Sequence, residues 1–281
     1  MVLPGPSRLR RGMPIAHSDF TPHHRGGAGA ALVLLHGFTD CWRVWDLVLG
    51  TLERHHDVFA PTLPGHAGGP PVPDGAGPEL MVDVLEAQLD AQGIGEPHVA
   101  GNSLGGFLAL KLAERGRARS VTAFAPGGGW AAADPAFTER LIPQFEALHE
   151  QAVPLAPHAD RLMATPEGRR RASSLRTVRH EHLSAELLGH LMVGLALCDV
   201  RGVHEVALHG DYAIDPERVT CPIRIVWGLE DRLLLWPDAG VRYAQEWLPH
   251  ADWVLLDDVG HCPQLDVPLE AAQLILGWTG G

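Results

Sequence analysis

The chain has 281 residues, of which 46% are hydrophobic and 20% are charged, so its composition is that of a globular protein and excludes a disordered chain. Its 22 Lys and Arg residues against 34 Asp and Glu residues give a formal net charge of -12, which argues against nucleic acid or an anionic lipid surface as a partner. A chain of this length can bury a sizeable core in one large α/β domain.

The N-terminal third predicts two strands and a helix after an irregular start. Residues 1–29 are rich in Pro, Gly, Arg and His, which indicates a lead-in with at most a short edge strand. No apolar run of signal-peptide length follows its arginines, so we do not expect secretion. The runs AALVLLHG from Ala30 and DVFAPTLPG from Asp57 predict strands, the first of them buried on both faces of a parallel sheet. The segment from Glu79 to Gly93 has helical spacing of its apolar residues and ends at a glycine.

The middle of the chain first completes a β-α-β unit and then changes character. The strand HVAGN from His98, a helix from Leu104 and the strand SVTAFAP from Ser120 follow one another. Residues 130–208 lack buried-strand patterns and predict several amphipathic helices, including AELLGHLMVGLALC from Ala185. We interpret these helices as an insertion that caps the carboxyl ends of the strands, where open α/β sheets bind their ligands.

The C-terminal part returns to alternating strands and helices. It predicts a strand over 221–231, a helix over 238–249, a strand over 252–258 and a helix from Pro268. This alternation is typical of an α/β fold with a mainly parallel sheet flanked by helices. No stretch of about 18 apolar residues occurs, so we expect no membrane span. The predicted organisation is a lead-in, a core in two parts and a helical cap: 1–29, 30–129 with 209–281, and 130–208.

Glycines surround one serine where the predicted strand from His98 runs into its helix. In VAGNSLGG, Gly101 and Gly105 flank Ser103, although glycine costs a helix about 1 kcal/mol per residue relative to alanine. A turn that exposes one side chain strains its backbone, and neighbouring side chains would collide, so GNSLG fits a nucleophile elbow. The free N–H groups at the helix N-terminus favour an oxyanion. A glycine-rich turn that only packs tightly is the alternative interpretation.

A base and an acid follow the serine along the chain. Serine is a weak nucleophile and needs a base that a third group holds in place. DDVGHCPQLDVP places His261 in a loop directly after a predicted strand, and VWGLEDRLL places Asp231 just past the end of another. We therefore predict that Ser103, His261 and Asp231 act as nucleophile, base and acid.

The elbow and the order of these three residues resemble the capped α/β-hydrolases, which include carboxylesterases and meta-cleavage-product hydrolases. The resemblance covers residues 30–281 and implies an α/β-hydrolase fold with a helical cap. In that family an HG pair after the first long strand opens the oxyanion loop, and LLHGF supplies this pair here. The resemblance therefore implies the backbone N–H groups of Phe38 and Leu104 as oxyanion donors. It also implies a structural role for His36.

Other side chains compete for the base and the acid. His36 is a second candidate base. Asp199 is a rival acid because it lies where the predicted cap returns to the core. Asp257 and Asp258 are further rivals, but they lie too near His261 in the sequence to be its expected partner.

The predicted chemistry needs no cofactor and no metal. Although the chain has 17 histidines, they do not show the HExxH pattern or the Cys/His spacing of metal sites. The cysteines show no CxxC spacing and are too sparse for a disulfide scaffold, so we expect free thiols and a cytoplasmic location. These cysteines are Cys41, Cys198, Cys221 and Cys262.

The function that these residues predict is hydrolysis of carboxylic esters through an acyl-enzyme. Serine in place of aspartate at the elbow disfavours the epoxide hydrolases and haloalkane dehalogenases of the family. The first alternative is C–C hydrolysis of meta-cleavage-type diketones, whose enzymes commonly have an aromatic residue where this chain has Cys262. A non-catalytic receptor for a small molecule on the same fold is the second.

The expected partner is a small-molecule ester, and the sequence does not indicate an oligomeric state, so a homo-oligomer stays open. Apolar candidates for the pocket wall suggest that the ester has an apolar acyl or alcohol group. Besides Phe38, these candidates are Trp42, Trp130, Met163, Leu191 and Met192.

Overall fold

A seven-stranded sheet forms the centre of the protein in a computed structural model that describes residues 19–75, 77–130, 135–208 and 212–280. Along the sheet the strand order is β1-β3-β2-β4-β5-β6-β7, and all neighbours are parallel except β1 and β3. The mainly parallel α/β architecture is therefore confirmed. The strands are β1 (His23–Gly27), β2 (Ala30–Leu35), β3 (His56–Pro61), β4 (His98–Asn102), β5 (Ser120–Phe124), β6 (Ile223–Gly228) and β7 (Asp252–Leu256).

Helices cover both faces of the sheet because its central strands are apolar on both sides. Successive side chains of a strand point to opposite faces. In β2, Val33 and Leu35 pack into the core beneath the second and third helices, whereas Leu32 and Leu34 pack into the core beneath the first and last helices. The helices are α1 (Asp46–Leu52), α2 (Pro78–Ala91), α3 (Leu104–Glu114), α4 (Pro135–Leu155), α5 (Ala159–Met163), α6 (Pro166–Ser173), α7 (Ala185–Leu197), α8 (Val200–Val203), α9 (Pro263–Asp266) and α10 (Pro268–Thr279).

The register of the parallel strands brings several loops to one edge of the sheet. Leu35 pairs with Gly101, Asn102 pairs with Phe124, and Gly228 pairs with Leu256. The loops after β2, β4, β5, β6 and β7 therefore leave the sheet side by side. Open α/β sheets bind ligands at this edge.

The described residues between β5 and β6 form helices α4 to α8 and no strand. This agrees with the helical pattern over 130–208, of which 131–134 lie outside the described residues. No single helix in the described part is long and apolar enough to cross a membrane. Among the described residues, only α7 and Val200–Val206 taken together have the length and apolar composition of a span, and this pair is bent by 75°.

Three segments differ in detail from the sequence-based expectation. The expected helix over 238–249 includes a 3₁₀ turn at Asp238–Gly240 and a π-turn at Tyr243–Trp247. The π-turn sets the rings of Tyr243 and Trp247 edge to face at 5.0 Å, and the Tyr243 hydroxyl donates to Gly127 O. Helix α1 was not expected. In the lead-in β1 pairs with β3, while residues 1–18 lie outside the described residues.

Helix α3 lies directly on the sheet because its first turn has no side chains beneath it. A Cβ atom on Gly101 would lie 2.1 Å from Gly105 O, and one on Gly105 would lie 2.3 Å from Leu35 O. Both clashes are with backbone atoms, which cannot move aside without shifting a strand or the helix. The glycines around Ser103 are therefore required by close packing.

We expect Gly105→Ala to lower the free energy of unfolding by at least about 3 kcal/mol, because the added methyl group overpacks α3 against β2. Gly50→Ala is the matched control: Gly50 lies in α1, and its Cβ would meet no atom within 4 Å. We expect this control to raise the free energy of unfolding by about 0.5 to 1 kcal/mol, because alanine is a better helix former than glycine. Urea unfolding measures both, and equal effects of the two substitutions would contradict the packing argument.

Candidate active site

Ser103 lies in the turn between β4 and α3 with φ 57° and ψ -117°, a conformation that costs a non-glycine residue free energy. Three backbone hydrogen bonds hold this strained residue. Its N–H donates to Phe124 O over 2.9 Å, and its carbonyl accepts from the N–H groups of Phe107 and Gly127, both at 3.0 Å. These bonds to the neighbouring strand, helix and loop stabilise the strained conformation. The turn places the half-buried Ser103 side chain on a cavity wall.

Two backbone amides are available beside this serine. A Cβ atom on Gly37 would lie 3.3 Å from Ser103 Cβ, so the loop after β2 passes directly over the serine. Phe38 follows Gly37, and Leu104 is the first residue of α3. Within the described ranges neither the Phe38 amide nor the Leu104 amide takes part in a hydrogen bond. Unpaired N–H groups at such a position attract negative charge.

His36 supports this loop from below. Its Nδ1–H donates to Gly37 O over 2.8 Å, and its Nε2 accepts from the Leu63 N–H over 2.9 Å. Burial lowers the pKa of His36 to about 4, so the ring is neutral and both of its nitrogens are engaged. Its geometry is that of a structural residue and does not suit a base.

His261 and Asp231 form a buried hydrogen bond at the ends of β7 and β6. His261 Nδ1 donates to Asp231 Oδ2 over 2.6 Å, and the two side chains are 5% and 0% exposed. Asp231 Oδ1 accepts from the N–H groups of Leu233 and Leu234, each at 2.8 Å. The carboxylate is therefore fully oriented, and it fixes the imidazole tautomer that leaves Nε2 as an acceptor.

Asn102, the last residue of β4, ties the serine turn to the His261 loop. Its Nδ2 donates to His261 O over 2.9 Å and to Phe124 O over 3.1 Å. Its Oδ1 accepts from Gln264 Nε2 over 3.1 Å and from Cys262 Sγ over 3.3 Å. The sequence reasoning missed this role. The available signal was an asparagine at the end of the predicted buried strand, immediately before the serine.

Asp266 anchors the same loop to the segment that follows α6. This buried carboxylate accepts from the N–H groups of Gly260, Arg179 and Val178 at 2.7, 2.8 and 2.9 Å. The Cys262 N–H donates to the Arg176 carbonyl over 2.8 Å beside it. Nothing in the sequence distinguished Asp266 from the other carboxylates, because two of its three donors come from a segment almost 90 residues away along the chain.

Arg176 reaches from this segment to the loop above the serine. Its guanidinium donates to Asp40 Oδ1 over 2.8 Å, and the Asp40 side chain is 5% exposed. Burial opposes the charge on Arg176, but the nearby Asp40 carboxylate outweighs it, so the pKa of Arg176 is raised. The two charges neutralise each other at the cavity wall.

Two cavities meet at Ser103. The larger has a volume of about 460 Å³ and lies among helices α4 to α7, and the smaller has a volume of about 30 Å³ on the other side of the serine. The side chains of Phe38, Ser103 and His261 line both cavities. Ser103 Oγ has no hydrogen bond to any described residue, so Ser103 and His261 share a wall without being bonded. Such bonds are often long or absent before a substrate binds.

The candidate pocket residues divide between these cavities, with one exception. Trp130 lines the small cavity, and Met163, Leu191 and Met192 line the large one. Trp42 lines neither. Its indole N–H donates to Thr21 Oγ1 over 2.9 Å, and its ring stacks on His24, because the turn after β2 directs it towards β1. The expectation that Trp42 contributes to the pocket wall is not met.

The rival acids lie elsewhere. Asp199 accepts from the Gly202 N–H over 3.0 Å at the start of α8. Asp258 is exposed and pairs with Arg179 over 2.5 Å. Neither bonds to His261, whose Nδ1 partner is Asp231.

The cysteines are free, as expected, and burial raises the pKa of the Cys41 thiol to about 12. Burial likewise raises the pKa of Cys262, beside the candidate base. Within the part of the chain that the structure describes, no three His, Cys, Asp or Glu side chains cluster as metal ligands would.

Comparison with known proteins gives a family-level match. A sequence model of the alpha/beta hydrolase family matches residues 32–274. The epoxide hydrolase EphH of Mycobacterium tuberculosis is 31% identical over 204 residues, which cover 70% of this chain and 92% of that protein. A pimeloyl-[acyl-carrier protein] methyl ester esterase of Aromatoleum aromaticum is 28% identical over 267 residues, 87% of this chain and 96% of that enzyme.

Among solved structures, the enol-lactonase of Burkholderia xenovorans LB400 superposes with a TM-score of 0.70 at 17% identity. The superposition covers 92% of this chain and 96% of the lactonase. At this identity the likeness shows the shared fold.

We expect Asp266→Asn to lower the free energy of unfolding by about 3 kcal/mol. The NH₂ group of the new amide would face a buried N–H group from which the carboxylate accepts a hydrogen bond. Asp258→Asn, the same substitution at an exposed ion pair eight residues before it in the sequence, is expected to cost less than about 1 kcal/mol. Urea denaturation compares the two. A loss in Asp266→Asn no greater than in the control would contradict the role of Asp266 as an anchor.

The depressed pKa of His36 makes stability pH-dependent. The unfolded chain takes up a proton at the ordinary pKa of 6.5, whereas folded His36 does so only at about 4. The contribution of neutral His36 to the free energy of unfolding is therefore fully present above pH 6.5. It is lost as the pH falls towards 4, at up to about 1.4 kcal/mol per pH unit. His36→Gln keeps one donor and one acceptor without titrating. Between pH 7 and 4.5 the free energy of unfolding should fall less steeply with decreasing pH in this variant than in the wild type. An unchanged pH dependence would overturn the prediction.

Proposed function

Because the chain belongs to the alpha/beta hydrolase family, we propose that it is a serine hydrolase that cleaves carboxylic esters through an acyl-enzyme. The observation that supports this most is the buried His261–Asp231 hydrogen bond of 2.6 Å beside a strained serine on the same cavity wall. A carboxylate that holds an imidazole, beside a serine hydroxyl, makes up the set of groups in a catalytic triad. We assign Ser103, His261 and Asp231 to it.

In the first half of the reaction the Ser103 hydroxyl attacks the ester carbonyl carbon. A rotation of the Ser103 side chain brings Oγ to His261 Nε2, which takes its proton as the new C–O bond forms. The negative charge on the carbonyl oxygen is stabilised by the Phe38 and Leu104 amides, and one such donor is typically worth about a hundred- to a thousandfold in rate. His261 then protonates the departing alkoxide, and the acyl group stays on Ser103.

In the second half a water molecule takes the place of the alcohol. His261 removes its proton, the hydroxide attacks the acyl carbon, and Ser103 recovers its proton as the acid leaves. Asp231 keeps the imidazole in one tautomer and stabilises the imidazolium in both halves. Two backbone N–H groups hold its other oxygen, so the carboxylate does not rotate away.

The nucleophile distinguishes this proposal from epoxide opening, although one relative is an epoxide hydrolase. A serine alkoxide that attacked an epoxide carbon would form an ether. An ether has no carbonyl carbon for water to attack, so the enzyme would stay alkylated. An ester of Ser103, by contrast, is released by the same machinery that formed it.

The cavity wall also favours an ester over a meta-cleavage-type diketone. Such substrates are dienoates and have a carboxylate. Two arginines line the large cavity: Arg171 is exposed, and the half-buried Arg176 is already neutralised by Asp40. A neutral ester leaves this ion pair intact, whereas an enoate would have to compete with Asp40. We further propose that α4 to α8 form the cap of this site, because α4 to α7 supply most of the wall of the large cavity.

A fluorophosphonate probe and an ester assay test this function together. The wild type should form a covalent adduct at Ser103, located by peptide mass spectrometry, and Ser103→Ala should lose both labelling and turnover. Asp231→Asn should lower kcat by about 10⁴-fold because the imidazole tautomer is no longer fixed. Asp199→Asn applies the same change to a carboxylate at the start of α8 and should alter kcat by less than about threefold.

Turnover that survives in Ser103→Ala would show that another group is the nucleophile. Binding without turnover of any ester, retained in Ser103→Ala, would instead favour a receptor. Efficient cleavage of a vinylogous diketone together with poor cleavage of aryl esters would favour C–C hydrolysis.

A further inference from the structure

The small cavity beside Ser103 is bounded by packed aromatic rings as well as by leucines. Its volume of about 30 Å³ holds one or two water-sized groups, since a single water needs about 10 to 15 Å³ of such space. Tyr212 forms part of its wall and packs against Trp130 and the buried Phe107, with ring centroids at 5.5 and 4.5 Å. Gly128 packs so closely on Tyr212 that a Cβ atom there would lie 2.3 Å from the ring. Enlarging the small cavity would require these aromatic rings to move together.

The large cavity shares Phe38, Ser103, Phe145, Leu233 and His261 with the small one, but helices α4 to α7 form most of its wall. Its volume of about 460 Å³ compares with about 150 Å³ for an apolar cavity that binds benzene, so it can hold on the order of ten carbon atoms or more. Leucine and methionine side chains such as Met163, Leu191 and Met192 dominate its helical wall, and these adapt readily to an apolar group. Its buried charges, Asp40 and Arg176, are paired with each other.

The two cavities join where an ester carbonyl would be attacked. Ser103 and His261 line both, and Phe38 forms part of the wall between them. The attacked carbon has four bonds: one to Ser103 Oγ, one to the oxyanion that points to the amides, and two to the acyl and alcohol sides of the ester. Because two directions are taken by the protein and both cavities open at Ser103, we place the remaining two groups in different cavities.

We propose that the substrate is an asymmetric ester, with one group of one or two heavy atoms in the small cavity and one uncharged apolar group of about eight or more carbons in the large cavity. This proposal rests on the proposed function. It adds that the small cavity, through Trp130 and Tyr212, sets an upper limit on one side of the ester. Total hydrophobicity of the substrate does not decide its rate of cleavage.

Three isomeric esters separate size asymmetry from hydrophobicity. Methyl nonanoate, octyl acetate and pentyl pentanoate have the same formula and differ only in where the ester group lies. We expect kcat/KM for at least one of the first two to exceed that for pentyl pentanoate by tenfold or more. Comparison of methyl nonanoate with octyl acetate then shows which side of the ester the small cavity accepts.

A variant links this preference to the small cavity. Trp130→Ala removes a ring from its wall, and we expect the tenfold preference to fall to threefold or less because a pentyl group then fits. Trp278→Ala is the matched control, since Trp278 lies on α10, donates to Pro222 O and lines neither cavity. The control should keep the preference of the wild type. Labelling of Ser103 by the fluorophosphonate verifies that each variant retains a folded site.

Pentyl pentanoate cleaved as well as both asymmetric isomers would overturn this proposal while leaving the proposed function standing, provided that Ser103 is labelled. Cleavage of short aryl esters alone, with all three isomers inert, would also overturn it. A preference unchanged by Trp130→Ala would show that another feature selects the ester. Absence of both labelling and ester cleavage would instead refute the serine hydrolase proposal itself.

Discussion

The hydrogen bond between His261 and Asp231 is the interaction on which the site depends. A buried carboxylate is costly unless its oxygens are hydrogen-bonded, and here one oxygen accepts from the imidazole and the other from two backbone N–H groups. The bond joins the loop after β6 to the loop after β7, which are neighbours only because these strands pair in parallel. Sheet register thus places Asp231 beside His261, and the carboxylate determines which imidazole nitrogen is left free.

Four polar side chains hold the surrounding loops in the same arrangement. Asn102 links the serine turn to the His261 loop, and Asp266 links that loop to the segment after α6. Arg176 and Asp40 then join this segment to the loop above Ser103. Since each group is buried with its partner, losing one would leave unpaired polar atoms in a dry environment. The helices over the site are therefore attached to the sheet by directional bonds as well as by apolar packing.

The alpha/beta hydrolase family includes proteins with different reactions, as an epoxide hydrolase and a methyl ester esterase among the relatives illustrate. What separates these reactions is local chemistry. A serine oxygen forms an intermediate that water can cleave only if a carbonyl is attached to it, and a neutralised Arg176 offers little to an anionic substrate. The unequal cavities add a constraint of shape: the rings of Trp130 and Tyr212 bound only the small cavity, and leucine and methionine side chains dominate the large one.

The sequence by itself determined the α/β class, the approximate position of each central strand and the candidates for the serine, the base and the acid. Those features depend on local pattern: apolar runs for strands buried on both faces, and glycines where α3 approaches the sheet within contact of Leu35. The 3₁₀ and π-turns around Tyr243 escaped prediction because contacts with distant residues such as Gly127 shape them. The direction of Trp42 towards His24, and so away from the cavities, is equally a matter of packing.

Only the tertiary structure decided which carboxylate meets His261. Asp199 and Asp231 are the same residue type, but Asp199 caps helix α8 whereas Asp231 follows β6, beside the loop that contains His261. The same holds for Asn102, Asp266 and Arg176, each of which has a partner far away along the chain. The cavities too have no sequence signature, since their volumes depend on how separate helices and loops pack. Local patterns fix what a residue is suited to do, and long-range packing fixes what it touches.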